Sequence, residues 1–201
     1  FLKLLASVIV NYDTPTAIVH GGGKGIAELQ HRLGIEIAHV EGLRVTDPAS
    51  LEVAEMVLSG LINKKLVAGL IAAGVDALGI SGIDRGLFRC SKKAHPSIDL
   101  GLVGEIKDVR SEVVHDLVRS NITPVISPIS LGTDGKHYNV NADEAAAALA
   151  VALKAEELFF ISNVPGIIQD QRVVTTINSE EAIELIDKKV IKSGMVPKIL
   201  S

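Results

Sequence analysis

Apolar positions recur along this chain at two spacings, three to four residues apart in some stretches and nearly continuous in others. Leu2, Leu5, Ile9 and Tyr12 follow the first and predict a helix. Residues 16–20 read as a strand, and 25–33 as a helix ended by Gly34. Between 49 and 73 apolar residues recur at Leu51, Ala54, Leu58, Leu61, Ile62, Leu66, Leu70 and Ala73. That spacing predicts helix in two pieces joined near Gly60, with Asp47-Pro48 opening the first. "DALGIS" (76–81) is a short buried strand, and 100–109 forms part of a small hairpin. Residues 111–120 read as a helix with Ser111 as candidate N-cap, and "TPVIS" as the strand after it. Asp134-Gly135 signals a hairpin over 129–140. "NADEAAAALAVALKA" is the plainest helix, "EELFFIS" a strand, "NVPGI" a loop, and 179–188 a helix capped by Ser179 with Glu180 and Glu181 in its first turn.

Strands alternating with helices imply an α/β fold: a three-layer α/β/α sandwich with a mainly parallel central sheet, decorated by small β-hairpins. With 201 residues and no linker or repeat, a single domain is expected. Aromatics are only 3%, so the core must be built from Val, Ile, Leu and Ala, which suits a buried parallel sheet. A net charge of −4 offers no basic footprint for nucleic acid. No apolar run reaches the ~18 residues needed to span a bilayer. The opening "FLKLLASVIVNY" lacks an initiator Met and a basic leader, so it reads as the inside of a helix rather than a signal peptide, and the expected compartment is the cytoplasm. The single Cys90 fits a reducing compartment and reads as an ordinary thiol, although Arg89, Lys92 and Lys93 could lower its pKa.

The chemistry-bearing stretches begin with "AIVHGGGKGIAEL". Gly21, Gly22 and Gly23 end a strand and lead into a helix N-terminus, where backbone N–H groups and the helix dipole can receive an anion. The alternative is a tight turn that needs positive φ. The run matches neither GxxxxGK[ST] nor GxGxxG. In "EGLRVTD", Arg44 suits a bidentate clamp on a carboxylate, or else a surface ion pair. In "NVNAD", Asn139 and Asn141 fall on one side of an extended segment, and Asp143 stands near a helix start, where capping alone could explain it. In "KSGMVPKIL", Lys198 follows a Gly and a Pro in a loop, where a lysine is usually just solvated. The six histidines show no HExxH or paired metal-ligand spacing.

Taken in order, HGGG, GLRVTD, GLVGEI, NVNADEAA, SNVPGI and SGMVPK resemble the acetylglutamate kinase branch of the amino acid kinase family, over essentially all 201 residues. HGGG is shared by several kinases of the family, whereas GLRVTD and NVNAD are more specific to that branch. The resemblance implies ATP-dependent phosphorylation of the side-chain carboxylate of N-acetyl-L-glutamate, an early step of arginine biosynthesis, with Mg²⁺ held mainly by the nucleotide phosphates. It implies that Gly22 and Gly23 contact substrate and the moving phosphoryl group, and that Arg44 and Asn139 grip N-acetylglutamate. Asp143 matches the family's catalytic aspartate and Lys198 the second of two catalytic lysines. Gly21, which shapes the turn, joins Asn163, Gly166 and Met195 in the nucleotide-binding set. The substrate side would occupy about 1–145 and the nucleotide side about 146–201.

The family's first catalytic lysine belongs to a strand upstream of the first helix. Lys3 lies within that helix and does not replace it, so the chain reads as incomplete at both ends. Asn163 stands where the family commonly has Asp, and an amide can still bond a ribose hydroxyl. A homodimer or higher homo-oligomer is implied. The alternatives are a kinase for N-succinylglutamate or an aminoadipate derivative, and a non-catalytic sensor.

Overall fold

The computed structural model describes residues 2–11, 15–35, 39–40, 43–162, 164, 166–169, 172–191, 195 and 198–199, with backbone alone at 2, 39–40 and 43–44. Two compact units divide the chain, Phe1–Ala155 and Glu156–Ser201.

In the first unit, helix α1 (Leu2–Asn11) precedes strand β1 (Ile18–Val19), which runs into helix α2 (Gly23–Leu33). A short antiparallel ribbon follows, β2 (His39–Val40) with β3 (Leu43–Arg44). Helix α3 (Pro48–Glu55) passes through a π-helical stretch, Met56–Ile62, into α4 (Asn63–Ile71). The break expected near Gly60 is therefore a widened turn inside one continuous helix. Next come β4 (Ala77–Ser81), β5 (Phe88–Lys92), β6 (Gly104–Val109), helix α5 (Glu112–Arg119), β7 (Thr123–Ser127), β8 (Ile129–Gly132), β9 (His137–Asn139) and helix α6 (Ala142–Leu153).

The central sheet is parallel, in the order β1-β7-β4. Strand β7 is buried on both faces. Val125 packs with Ala6 of α1 and Leu70 of α4, while its neighbour Ile126 packs with Val113 and Val114 of α5 and Ala145 and Leu149 of α6. One residue's alternation thus defines the two helical layers of the expected sandwich. Pro124 is tolerated in this middle strand because its missing N–H faces β1, whose ladder begins only at Ile18 opposite Val125. A second sheet, β6-β5-β8-β9, supplies both expected hairpins, β5 with β6 and β8 with β9.

The second unit holds a two-residue ribbon, β10 (Ile168–Gln169) with β11 (Arg172–Val173), and helix α7 (Ser179–Asp187). "EELFFIS" is not a strand: residues 156–162 join no ladder among the described residues, and a strand is made by its partner more than by its propensity. Of two expected caps, one keeps its place without its bond and the other moves. Ser111 holds the N-cap position of α5 without a side-chain hydrogen bond. In α7 the cap is Asn178, not Ser179, because Asn178 and Glu181 exchange side-chain bonds with each other's backbone N–H in a capping box. Cys90 is fully buried among Leu87, Phe88 and Tyr138. Burial, and secondarily the charge of Asp134, pushes its thiol up to about 11, opposite to what its basic neighbours in sequence could do.

Candidate active site

The glycine turn sits at the carboxyl end of β1. The His20 N–H still donates to the Ile126 carbonyl at 3.1 Å, so the ladder with β7 persists up to the turn. Three glycines there have three different surroundings. A Cβ on Gly21 would stand 3.5 Å from Cβ of Ala142, the first residue of α6. On Gly22 it would collide with Ile62 Cδ1 and come within 2.8 Å of Leu58 Cδ2, both from the π-helical stretch. On Gly23 it would meet nothing within 4 Å. So Gly22 is small because a helix packs on it, and its φ of 177° is extended backbone rather than the left-handed turn considered from sequence. Gly23 is exposed, begins α2, and has open space where its side chain would be.

Gly21 brings the turn beside the start of α6, where the "NVNAD" segment ends. Asn141, which the sequence places on the same side of the segment as Asn139, is the cap: its Oδ1 accepts from the N–H groups of Asp143 at 2.7 Å and Glu144 at 3.2 Å. Asp143 is thereby relieved of capping and stays half-buried in the helix's first turn. Lys93, at the foot of β5, pairs with Glu144 at 2.6 Å.

Segment 100–103 ties the other two motifs together. Thr46 donates to Leu100 O at 3.1 Å and accepts from the Leu102 N–H at 2.7 Å, and the Asn139 N–H donates to Leu102 O at 3.0 Å. Gly101, at φ 70°, is where Thr46 O presses closest, so no side chain fits. Asp47 follows at once and caps α3 by accepting from the Ser50 N–H at 2.7 Å; that bond is the chief cause of its lowered carboxyl pKa. Arg44 lies on β3 opposite His39, and Asn139 ends β9 half-buried.

The remaining candidates belong to the second unit. Gly166 has φ 138°, a conformation that favours glycine, and Val173 Cγ1 lies 3.1 Å from where its Cβ would be. Met195 is half-buried. Lys198 is helical, with its Nζ 5.6 Å from the centroid of the Phe160 ring, a cation–π contact. Asn163 lies outside the described residues. Within the first unit, then, the glycine turn adjoins the start of α6, and the chain leaving Arg44 is bonded through segment 100–103 to Asn139.

Sequence reasoning missed two polar residues beneath the turn. Asn63, wholly buried, points Nδ2 at Nε2 of His20 at 3.2 Å and at Val125 O at 2.8 Å. No period-based reading connects residues 43 positions apart.

The family model of the amino acid kinase family matches residues 2–201. The chain is 50% identical over 199 residues to an acetylglutamate kinase of Roseiflexus castenholzii, covering 99% of this chain and 76% of that protein. It is 46% identical over 200 residues to an acetylglutamate kinase of Chloroflexus aurantiacus, covering 99% and 79%. The crystal structure of smu.665 from Streptococcus mutans superposes with a TM-score of 0.88 at 29% identity, covering 96% of this chain and 80% of that one. The chain belongs to the amino acid kinase family.

Proposed function

We propose that this chain is the kinase domain of an acetylglutamate kinase, transferring the γ-phosphoryl group of ATP to the side-chain carboxylate of N-acetyl-L-glutamate in the cytoplasm. One observation supports this most: an uncapped, side-chain-free helix N-terminus at Gly22–Gly23 adjoins the capped start of α6 that carries Asp143. That pairing suits a reaction in which one anion attacks another.

A carboxylate oxygen attacks phosphorus, the bond from phosphorus to the ADP oxygen breaks, and its electron pair leaves with ADP. The acceptor is already ionised near pH 7, so no general base is required. The protein's task is to position two anions and offset their charge. In this reading Gly22 and Gly23 present N–H groups to substrate and phosphoryl oxygens, with the α2 dipole behind them. Arg44 holds the α-carboxylate of N-acetylglutamate and Asn139 assists. Asp143 organises the catalytic lysines, of which Lys198 is one. Gly21, Asn163, Gly166 and Met195 form the nucleotide-binding set, Gly21 from the substrate side of about 1–145 and the other three from the nucleotide side of about 146–201. Mg²⁺ would be held by the nucleotide's phosphate oxygens, countering their charge. The protein would work as a homodimer or higher homo-oligomer.

The test uses the complete gene product with MgATP, hydroxylamine and one acid at a time. Hydroxylamine traps an acyl phosphate as a coloured hydroxamate. Signal with N-acetylglutamate, and far less with N-succinylglutamate, aminoadipate or glutamate, is the expected result. A preference for another acid would move the substrate, and no hydroxamate from any of them would leave the non-catalytic sensor.

A further inference from the structure

The residue before the glycine turn, His20, is 8% exposed, yet its ring is fully engaged. Nδ1 lies 3.2 Å from the carbonyl of Gly21, and Nε2 lies 3.2 Å from Nδ2 of Asn63. A carbonyl only accepts, so Nδ1 carries the proton. An amide nitrogen only donates, so Nε2 is the acceptor. The Asn63 amide is itself fixed, since Nδ2 also donates to Val125 O at 2.8 Å while Oδ1 accepts from Lys64 Nζ at 3.2 Å. The same Lys64 ammonium reaches the Gly79 carbonyl at 3.2 Å, and a Cβ on Gly79 would collide with Asn63 Oδ1. The ring is therefore neutral, in one tautomer, in one orientation. Burial agrees, since it pushes His20 below the ordinary histidine range against the smaller raising effect of the Gly21 hydrogen bond.

The consequence lies in the peptide plane. A trans peptide points its C=O and its N–H in opposite directions. Because His20 Nδ1–H holds the Gly21 carbonyl, the Gly22 N–H is aimed away from the buried ring. Asn63 follows the π-helical stretch directly, and that stretch also sets Leu58 and Ile62 against Gly22. One irregular helical turn thus delivers both the packing on Gly22 and the amide that locks His20. π-helical turns often mark functional positions.

We propose that His20, locked by Asn63, is a positioning residue for phosphoryl transfer, which pins the Gly21 carbonyl so that the Gly22 N–H is fixed toward the reacting oxygens. This rests on the reading of the glycine turn given under Proposed function. A histidine that merely fills the core would matter only for stability.

Two substitutions split the ring's two bonds. His20→Gln can place an acceptor near Nε2 for Asn63 but leaves the Gly21 carbonyl without its donor. His20→Asn can place a donor near Nδ1 for Gly21 but takes the ring acceptor from Asn63, whose Nδ2 keeps only the Val125 and Ile80 carbonyls. In the complete gene product, H20Q is expected to lower kcat on the order of 10²-fold, with its urea midpoint held near the wild-type value. H20N is expected to recover kcat to within about tenfold of wild type while its urea midpoint falls. The Gly22 amide resonance should move in H20Q and hold in H20N, a readout independent of turnover. Equal losses of kcat in both variants, losses that track the urea midpoint, or a Gly22 resonance indifferent to either variant would each overturn the proposal. Failure of the underlying kinase reading is told apart, because it appears in the wild-type protein alone as an absence of acyl phosphate, and it would overturn both.

Discussion

Helices α2 and α6 begin side by side and are finished in opposite ways. At α6, Asn141 satisfies the N–H groups of Asp143 and Glu144, and the first turn carries two carboxylates. At α2, Gly22 offers no side chain and the first turn carries no acid. Asp47 on α3 and Asn178 on α7 cap their helices too, whereas α5 at Ser111, like α2, begins without a side-chain cap bond. Glycine at the N-cap of α2 costs only a few tenths of a kcal/mol relative to a good cap. The contrast separates an α6 start satisfied by Asn141 from an α2 start without a side-chain cap, which under the proposed function leaves the α2 amides for a ligand.

That contrast can be broken most severely at Gly22. Gly22→Ala drives a methyl into Ile62 and Leu58 and should cost about 1–3 kcal/mol in urea unfolding, with activity lost as the turn shifts. An unchanged midpoint would mean the π-helical stretch does not clamp the turn. Gly23→Ala sharpens the same point from the other side. With nothing within 4 Å, the methyl should leave stability unchanged or slightly raised, yet crowd the ligand and lower kcat/KM at least tenfold, a cost of roughly 1.4 kcal/mol in the barrier. Asn141→Ala should cost about 1 kcal/mol of stability, and Asn141→Asp should restore it, since both residues cap well.

The smallest effect is a pH slope. Burial holds His20 below the ordinary histidine value of 6.5, so the unfolded chain takes up its proton first as pH falls. The stability that the neutral ring contributes is present above pH 6.5 and is lost progressively below it. Urea midpoints measured from pH 7.5 down to pH 5 should show this loss in the wild type and a shallower one in H20N. Parallel curves would show that His20 does not titrate differently on folding.

Much of the architecture is written in local patterns. The alternation of strands and helices, the Gly34 stop and the Asp134-Gly135 hairpin can be read from neighbouring residues alone, because each rests on periodicity or turn chemistry. What escapes is decided by partners distant in sequence. "EELFFIS" has strand composition but joins no ladder among the described residues. Ser179 looks like a cap until Glu181 reaches back to Asn178. The π-helical turn is invisible because its apolar spacing blurs into that of the α-helices on either side. For the site, the order of the motifs is legible, and so is the glycine turn's position at a strand end. The reason for Gly22 is not, since the turn alone cannot show that Leu58 and Ile62 press on it. Nor does spacing reveal that Thr46 and Asn139 hang on the same segment at Leu102, or that Asn63 reaches back to His20.

The central claim is that the glycine amides, not those of α6, receive the ligand. Backbone amide shifts of the complete gene product, titrated with N-acetylglutamate and a non-hydrolysable Mg²⁺–ATP analogue, test it most directly. The account predicts that Gly22 and Gly23 move most while Asp143 and Glu144, already bonded to Asn141, move little. Large shifts at Asp143 and Glu144 with Gly22 and Gly23 silent would contradict it.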